Sequence, residues 1–317
     1  MKLLIFGSQT IGGACLNALL NTMPAPDILG VVAAADDPPR PGADTANRSL
    51  EALARSRQLP LIPPDAAERP EFIDTARSLA PERIFLFDYP GHLAEPVLAL
   101  PPQGTINLYT TLLPAYRGHA PHIRAVQHGE TVTGVTLHLL APGAGSNSLL
   151  AQQTVPILWG DTGGDVHRKQ ADAAAELLRR TLPSLLAGQL APAPLPTTSA
   201  PPFGPLRPEE RAIDWNRAGV TLYHLIRAVT HPYSGAYAGF RGRRCTIWRS
   251  NVRPAPMNGP LPPPGTIIKL VPFQVVTGAG LLLPRRLQFD GEPERESDAF
   301  IARHQIAIGE RFTVWPA

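Results

Sequence analysis

Three polar side chains in one short segment could take part in chemistry. They are Asn107, Tyr109 and Thr111, in the sequence Gly-Thr-Ile-Asn-Leu-Tyr-Thr-Thr-Leu-Leu-Pro-Ala-Tyr-Arg-Gly at 104–118. An asparagine amide at this place either satisfies the backbone at a strand end or donates a hydrogen bond to a ligand. A tyrosine phenol also donates, but with a pKa of about 10 it is a poor base at pH 7. The segment therefore offers hydrogen-bond donors and no ready proton acceptor.

Histidines could supply a base, because their ordinary pKa lies near neutrality. His119 and His122 follow the segment, His138 lies in the next predicted strand, and His92 lies in an earlier loop. We take His122, which would open a helix near the segment, as the candidate for catalysis. A lone histidine is more often structural or exposed, and that alternative stays open for all four.

Neither a metal-binding nor a dinucleotide-binding pattern is found. Cys15 and Cys245 are far apart and lack the spacing of metal ligands, so we expect neither a metal site nor a disulfide framework. Gly7, Gly12 and Gly13 follow the first predicted strand, but their spacing is not Gly-x-Gly-x-x-Gly. Small residues here are expected to let the first helix start close to the strand.

Apolar runs and their spacing predict strands that alternate with helices in the first part of the chain. The predicted strands are 3–6, 29–35, 61–62, 83–87, 105–108, 134–140 and 149–155, and the predicted helices are 11–20, 49–57, 71–79 and 165–186. Such alternation indicates a parallel sheet covered on both faces. The last two strands have no helix between them, so we expect an antiparallel edge.

The pattern changes after a stretch rich in Pro, Thr and Ala that is typical of a linker. A helix at 220–229 is followed by short predicted strands at 237–240, 245–248, 265–270, 274–277 and 281–287. The predicted fold class is therefore α/β. It has a Rossmann-like domain at 1–190, a linker at 191–208 and a small β-rich domain, an open barrel, at 209–317.

Composition is that of a globular protein of ordinary charge. The 317 residues suffice for two domains, and 44% of them are hydrophobic. The net charge is +3, and the densest basic cluster, at 241–244, is short, which argues against nucleic acid as a partner. No apolar stretch approaches the roughly 20 residues of a membrane span. We expect a cytoplasmic protein without membrane contact, and the sequence leaves the oligomeric state open.

Short signatures in a fixed order carry a resemblance to a known family. They are Lys2–Leu20, the segment at 104–118, Ala120-Pro121, Gly129-Glu130, Gly134-Val135-Thr136, His138, Ala212-Ile213-Asp214-Trp215 and Ile226–Tyr237. Together they resemble the 10-formyltetrahydrofolate-dependent formyltransferases. That family includes methionyl-tRNA formyltransferase and the formyltransferase of UDP-4-amino-4-deoxyarabinose, and the details are closer to the amino-sugar branch.

The resemblance implies a catalytic asparagine, histidine and aspartate, of which only the asparagine is kept. Asn107 matches it, Tyr109 occupies the histidine position, and Thr111 replaces a family serine. The aspartate position falls on Gly145. Asp161 lies in an Asp-x-Gly sequence, but this sequence follows the strand and is expected to be the capped start of the long helix, where Asp and Thr are favoured. In the family these residues stabilise an oxyanion and handle the proton of the attacking amine.

The same resemblance assigns residues to a folate and to a substrate. The implied cofactor is a tetrahydrofolate derivative, either 10-formyl or 5,10-methylene. The residues assigned to folate are Phe87, Asp88, Tyr89, Leu112, Leu113 and Pro114, and those assigned to the substrate are Arg117, Ser146, Asn147 and Arg207. The basic loop of the tRNA enzymes corresponds here to 36–49, where three Asp residues oppose the only two basic residues, Arg40 and Arg48. A small-molecule amine is therefore expected, and tRNA is not.

Three functions stay open. The first is folate-dependent transfer of a one-carbon unit, formyl or altered to the methylene level, to a small amine by a degenerate Asn/His/Asp site. The second is an inactive homologue that binds folate or a substrate. The third is a methionyl-tRNA or nucleotide-sugar N-formyltransferase in which a substrate group or a displaced histidine acts as the base.

Overall fold

The chain forms two compact units that do not follow sequence order. A computed structural model describes residues 1–23, 27–34, 49–91, 93–140, 148–196, 198, 201–255 and 259–316. The first unit comprises Met1–Arg117, Val132–Pro156 and Val166–Phe203, and the second comprises Gly118–Thr131, Ile157–Asp165 and Gly204–Ala317. Two short segments from the first part of the chain thus belong to the second unit. The linear domain boundaries at 190 and 208 stay a prediction.

A mixed sheet forms the centre of the first unit. Its described strands are β1 (Lys2–Gly7), β2 (Asp27–Ala33), β3 (Leu61–Ile62), β4 (Arg83–Phe87), β5 (Thr105–Tyr109), β6 (Val132–Leu140), β7 (Ser148–Pro156) and β8 (Ala193–Pro194). They lie in the order β3-β2-β1-β4-β5-β6-β7-β8. The strands from β1 to β5 are parallel, whereas β6, β7 and β8 pair antiparallel. The predicted antiparallel edge is therefore confirmed.

Helices cover both faces of this sheet. The helices of the described residues are α1 (Gln9–Thr22), α2 (Leu50–Ser56), α3 (Pro64–Ala67), α4 (Phe72–Leu79), α5 (Glu95–Leu98), α6 (Pro121–Gln127), α7 (Gly163–Leu186), α8 (Gly219–Val229) and α9 (Ser297–His304). Of these, α6, α8 and α9 belong to the second unit. In β1, Leu3 and Ile5 pack in a core with α1 and α7, and Leu4 and Phe6 pack in a second core with α4. Successive side chains point to opposite faces, so a strand buried on both faces must be apolar throughout.

The glycines after β1 allow close packing. A Cβ atom on Gly7 would lie 2.9 Å from Cδ2 of Leu50 and 3.0 Å from Cα of Gly12. Leu50 of α2 thus fills the space above the loop, and α1 starts close to the strand, as the sequence predicts.

The second unit is built on an antiparallel sheet. Its described strands are β9 (Ala236–Phe240), β10 (Arg243–Arg253), β11 (Ile267–Leu270), β12 (Phe273–Val276), β13 (Leu281–Phe289) and β14 (Arg295–Glu296). The order is β11-β12-β13-β10-β9, with β14 beside β13. The C-terminal segment links the two edges, because Gly239 of β9 donates to the carbonyl of Thr313 and Ile267 of β11 donates to that of Glu310, each at 2.8 Å. This linkage agrees with the predicted open barrel.

Three further observations on the described residues concern membrane spans, metal ligands and cysteines. None of the described helices combines the length and apolar character that crossing a bilayer requires. Within the same residue ranges, no three His, Cys, Asp or Glu side chains are grouped to hold a metal ion. Cys15 and Cys245 are buried free thiols. The cytoplasmic location stays a prediction.

Candidate active site

The antiparallel pairing of β5 with β6 gathers polar side chains on one face of the sheet. Asn107 is directly opposite His138, and Tyr109 is directly opposite Thr136. On β7, Gln152 is opposite Thr136. Directly opposed residues of an antiparallel pair point to the same side of a sheet. We call these five residues the polar face.

Asn107 and His138 are joined by a hydrogen bond. The amide nitrogen Nδ2 of Asn107 lies 3.0 Å from Nε2 of His138. Because an amide nitrogen only donates, Nε2 accepts, and the imidazole carries its proton on Nδ1. The bond leaves the second N–H and the oxygen of the Asn107 amide pointing in fixed directions, which is what a donor to a reacting group requires.

Burial keeps His138 neutral. The residue is 3% exposed. Desolvation lowers the pKa of its imidazole from 6.5 to about 4, because a charged ring would lose its hydration there. At pH 7 His138 is therefore a hydrogen-bond acceptor for Asn107 and a weak base. Its Nδ1 atom is buried and has no hydrogen-bond partner among the described residues.

Tyr109 and Thr111, both predicted to be catalytic, lie in different settings. Tyr109 is half-buried at the end of β5, on the same face as Asn107. Thr111 is 1% exposed, and its hydroxyl donates to the carbonyl of Ala115 at 3.2 Å. The Thr111 hydroxyl thus closes the turn that follows β5. A catalytic role stays a prediction for both residues.

The loop after β4 carries the first set of predicted folate residues. Phe87 is fully buried and stacks on Phe85 with ring centres 5.4 Å apart, so only its backbone can contact a ligand. Asp88 accepts a hydrogen bond from the Thr110 hydroxyl at 2.8 Å, and its carboxylate lies 3.9 Å from Nε2 of His167. Asp88 thus takes part in contacts with the turn after β5 and with α7.

Tyr89 presents a buried hydroxyl in the same loop. Its ring packs against Phe6 with centres 5.4 Å apart. Burial, and then the charge of Glu68, raise the pKa of Tyr89 to about 12. The hydroxyl has no hydrogen-bond partner within the part of the chain that the structure describes. A buried hydroxyl without a partner is rare and indicates a ligand or a water that would complete it.

The predicted Leu112-Leu113-Pro114 turn lies against β6. A Cβ atom on Gly134 would come 2.5 Å from Cδ2 of Leu112, so the absence of a side chain at Gly134 lets the turn lie this close. Leu113 is 8% exposed. The Leu113–Pro114 peptide bond is cis.

The residues assigned to the substrate are spread over both units. Arg117 lines a cavity of about 300 Å³ in the first unit, beside Tyr116 and Phe203, whose rings are parallel with centres 5.7 Å apart. Arg207 belongs to the second unit and is 68% exposed, with its guanidinium 3.3 Å from Glu209. Ser146, Asn147, the Gly145 position and His92 lie outside the described residues.

His122 belongs to the second unit. It is 7% exposed on α6, and its Nε2 lies 2.7 Å from the hydroxyl of Tyr233. This bond provides a partner for one of the two ring nitrogens, and a catalytic role for His122 stays a prediction.

The Asp-x-Gly sequence that starts at Asp161 marks a helix start, as expected. The backbone of Thr162 donates to the carboxylate of Asp165 at 2.9 Å, and the Asp165 backbone donates to the Thr162 hydroxyl at 3.1 Å. This reciprocal pair caps α7. The carboxylate of Asp161 accepts from the backbone of Leu158 at 2.6 Å.

Sequence reasoning treated His138 as one of four lone histidines and did not select Thr136 or Gln152 for the site. A usable signal was present, since Asn-x-Tyr in one strand and Thr-x-His in the next place each pair on one face. Only the register shows which residues are opposed, and the register was not known.

Comparisons with known proteins give two family matches. The model of the formyl transferase family matches residues 1–182, and the model of the formyl transferase C-terminal domain matches residues 205–305. These matches cover most of the chain.

Solved structures with this fold include two N-formyltransferases and a larger protein. The N-formyltransferase from Helicobacter canadensis, solved with folinic acid and dTDP-3-aminofucose, has a TM-score of 0.65 at 17% identity, covering 90% of this chain and 99% of that one. WlaRD, a sugar 3N-formyltransferase solved with dTDP and 5-N-formyl-THF, has a TM-score of 0.63 at 15% identity, covering 92% and 99%. A HypX variant from Aquifex aeolicus has a TM-score of 0.62 at 15% identity, covering 98% of this chain and 48% of HypX. At sequence identities this low, the structural similarity establishes a shared fold.

Replacing His138 by Gln should remove part of the acid sensitivity of the protein. The pKa of His138 is about 4 in the folded protein and 6.5 in the unfolded chain. Between pH 4 and pH 6.5, the unfolded chain therefore binds a proton that the folded protein does not bind. The stability due to this difference is complete above pH 6.5 and is lost as the pH falls towards 4. At pH 4.5 the loss is about 2–3 kcal/mol.

The measurement is the free energy of unfolding in urea at pH 7 and at pH 4.5. Gln keeps a polar atom near the place of Nε2 but does not titrate, so the drop between the two pH values should be smaller in His138→Gln by about 2 kcal/mol. His224, whose pKa burial also lowers to about 4, is present in both proteins and cancels. Equal drops would contradict a buried, neutral His138.

Proposed function

The chain belongs to the formyltransferase family, and from this membership we propose that it transfers a one-carbon unit from a tetrahydrofolate derivative to an amine of a small molecule. The observation that carries the proposal is the Asn107–His138 hydrogen bond. One N–H of the Asn107 amide donates to His138, and we propose that the second N–H donates to the oxygen of the transferred group. A fixed donor aimed at an oxygen that gains negative charge is the usual main source of catalysis in acyl transfer.

The residues near the polar face fit a folate. Tyr89 has a buried hydroxyl, and His138 has a buried Nδ1, neither with a hydrogen-bond partner among the described residues. A pterin ring has both donors and acceptors along its edge and could complete such atoms. In this proposal the backbone of Phe87, Asp88 and Tyr89 lines one side of the ring. When bound, the folate supplies the one-carbon unit.

Two solved relatives support this choice of cofactor. The Helicobacter canadensis enzyme holds folinic acid, and WlaRD was solved with 5-N-formyl-THF. Both have almost their whole length in common with this chain. The oxidation level of the folate, formyl or methylene, depends on how the altered site handles charge on the oxygen.

The polar face supplies no strong base at neutral pH. The pKa of the His138 imidazole is about 4, and the phenol of Tyr109 is a donor. The attacking amine must therefore arrive without its proton or pass that proton to a group of its own. A weakly basic amine, which is already neutral at pH 7, suits this site better than an alkyl amine.

A small substrate is supported by the first unit. The cavity beside Arg117 has a volume of about 300 Å³, which is at the lower end of the range for small-molecule sites. The two sugar enzymes were solved with dTDP-3-aminofucose and with dTDP. In this proposal Arg117 contacts the substrate, and Arg207, Ser146 and Asn147 are assigned to it from the family resemblance.

Folate binding without transfer is the second candidate function. It is favoured by the lack of a strong base on the polar face. Tyr109 stands in the position of the family histidine, and His138 is too weak a base to replace that histidine. A binder would keep the Tyr89 and His138 contacts and lack turnover.

Replacing Asn107 by Ala should reduce turnover much more than folate affinity. Loss of one fixed donor to the reacting oxygen costs about 10²–10³ in rate. Asn216→Ala is the matched control, because Asn216 is exposed in the second unit and its side chain bonds to Asp214 alone among the described residues, at 3.0 Å. Titration calorimetry with 5-formyltetrahydrofolate measures affinity, and mass spectrometry of amines incubated with 10-formyl- or 5,10-methylenetetrahydrofolate measures transfer.

The outcomes separate the candidate functions. Folate binding with transfer that is lost in Asn107→Ala and kept in Asn216→Ala is the expected result. Binding with no product from any amine would leave the second candidate. No binding of any folate by the wild-type protein would refute both.

Restoring the family residues should raise formyl transfer. Tyr109→His supplies a base, and Gly145→Asp supplies a carboxylate that would raise the pKa of that imidazole. We expect the double variant to form formyl product at least tenfold faster than the wild type at pH 7, and the single Tyr109→His variant to gain less. If neither variant gains any rate, the assignment of positions 109 and 145 is wrong.

A further inference from the structure

The hydroxyl of Thr136 lies at the centre of a buried network on the polar face. Thr136 is fully buried on β6. Its Oγ1 donates to the carbonyl of Thr111 at 2.6 Å and accepts from the backbone N–H of Leu113 at 3.0 Å and from Nε2 of Gln152 at 2.9 Å. A hydroxyl has one hydrogen to donate and two lone pairs to accept with. All three capacities are used, so the hydroxyl has one allowed orientation.

Gln152 forms a second hydrogen bond that fixes the backbone of Leu113. Its Nε2 donates both to Thr136 and to the carbonyl of Leu113, each at 2.9 Å. An amide nitrogen has two hydrogens, and both are used. The N–H and the carbonyl of Leu113 are therefore fixed by side chains from two neighbouring strands.

Gln170 of α7 holds the start of the same turn. It is fully buried, and its Nε2 lies 2.8 Å from the carbonyl of Thr110 and 3.2 Å from that of Gly134. The turn is thus tied to β6 at its start as well as at its end. The carbonyls of Thr110, Thr111 and Leu113 and the N–H of Leu113 all have partners inside the protein.

The turn itself is buried, since Thr111 is 1% exposed and Leu113 is 8% exposed. Its backbone groups must therefore find partners inside the protein. Side chains from β6, β7 and α7 supply those partners and fix one short segment, 110–113. The segment joins the end of β5, which carries Asn107 and Tyr109, to Pro114 and Arg117 beside the cavity.

We propose that Thr136 and Gln152 are positioning residues that set the shape of the 111–114 turn for folate binding. The proposal rests on the proposed function, since it assigns the turn to the folate site. Because the turn's carbonyls at 111 and 113 and the N–H of Leu113 are already bonded, the turn contributes its shape and the apolar surface of Leu112 and Pro114. Loosening it should weaken folate binding.

The test compares two substitutions at Thr136 with a matched control. Thr136→Val keeps the shape and removes the hydroxyl, and Thr136→Ser keeps the hydroxyl. Thr181→Val is the control, because Thr181 is 7% exposed in α7 and its hydroxyl donates to carbonyls of its own helix, at 2.7 Å to Leu177. Calorimetry with 5-formyltetrahydrofolate gives the Kd, and circular dichroism gives the Tm.

Thr136→Val should weaken binding at least tenfold, and Thr136→Ser should restore it to within threefold of the wild type. Thr181→Val should leave the Kd within twofold, whatever it does to the Tm. If Thr136 had a purely structural role, the Kd would not depend on whether residue 136 carries a hydroxyl group. A folded Thr136→Val protein with the wild-type Kd would overturn the proposal, as would an equal loss in Thr181→Val.

A second variant covers the case in which Thr136→Val does not fold. Gln152→Met removes both N–H donors at a half-buried position with little change of volume. It should weaken binding at least threefold, and an unchanged Kd would overturn the proposal. If the wild-type protein binds no folate, the proposed function fails together with this inference. If it binds and the variants bind equally well, only the positioning role fails.

Discussion

The hydrogen bond between Asn107 and His138 depends on the register in which β5 pairs with β6. A slip of one residue would turn every side chain of one strand to the other face and would separate the two residues. The register also places Tyr109 opposite Thr136. The surrounding core then keeps the His138 imidazole neutral, because burial lowers its pKa to about 4. Strand pairing, burial and protonation thus together determine the direction of one amide.

Polar side chains can be buried here because they satisfy one another. Thr136 uses every hydrogen-bonding capacity of its hydroxyl, and Gln152 uses both of its N–H groups. A half-satisfied network at this depth would cost more than an apolar core. Nδ1 of His138 and the hydroxyl of Tyr89 are among the buried atoms that have no partner in the described residues, and a ligand that reached them would gain hydrogen bonds. The change from parallel to antiparallel pairing after β5 leaves this polar face beside the apolar parallel sheet.

The helices and strands could be predicted from the sequence better than the contacts of individual side chains. The strands at 61–62 and 83–87 have the predicted bounds, because short apolar runs between breakers mark the strands of a parallel sheet. Helix α9 was not predicted, since only Ser297 and Phe300 of it are buried and its apolar spacing is weak. The role of His138 could not be predicted, because it needs the register of two strands whose residues lie about thirty positions apart. Burial of Phe87 likewise needs the packing of α1 and α7 on one face of the sheet.

Nuclear magnetic resonance of the His138 ring nitrogens tests the central claim most directly. In protein with ¹⁵N-labelled histidine, the account predicts a neutral ring protonated on Nδ1 at pH 7, with a pKa near 4 and an Nε2 shift typical of a hydrogen-bond acceptor. Substituting Asn107 by Ala should move the Nε2 signal and leave the tautomer of the other histidines unchanged. A ring that titrates near 6.5, or one protonated on Nε2, would contradict the claim that His138 holds the Asn107 amide.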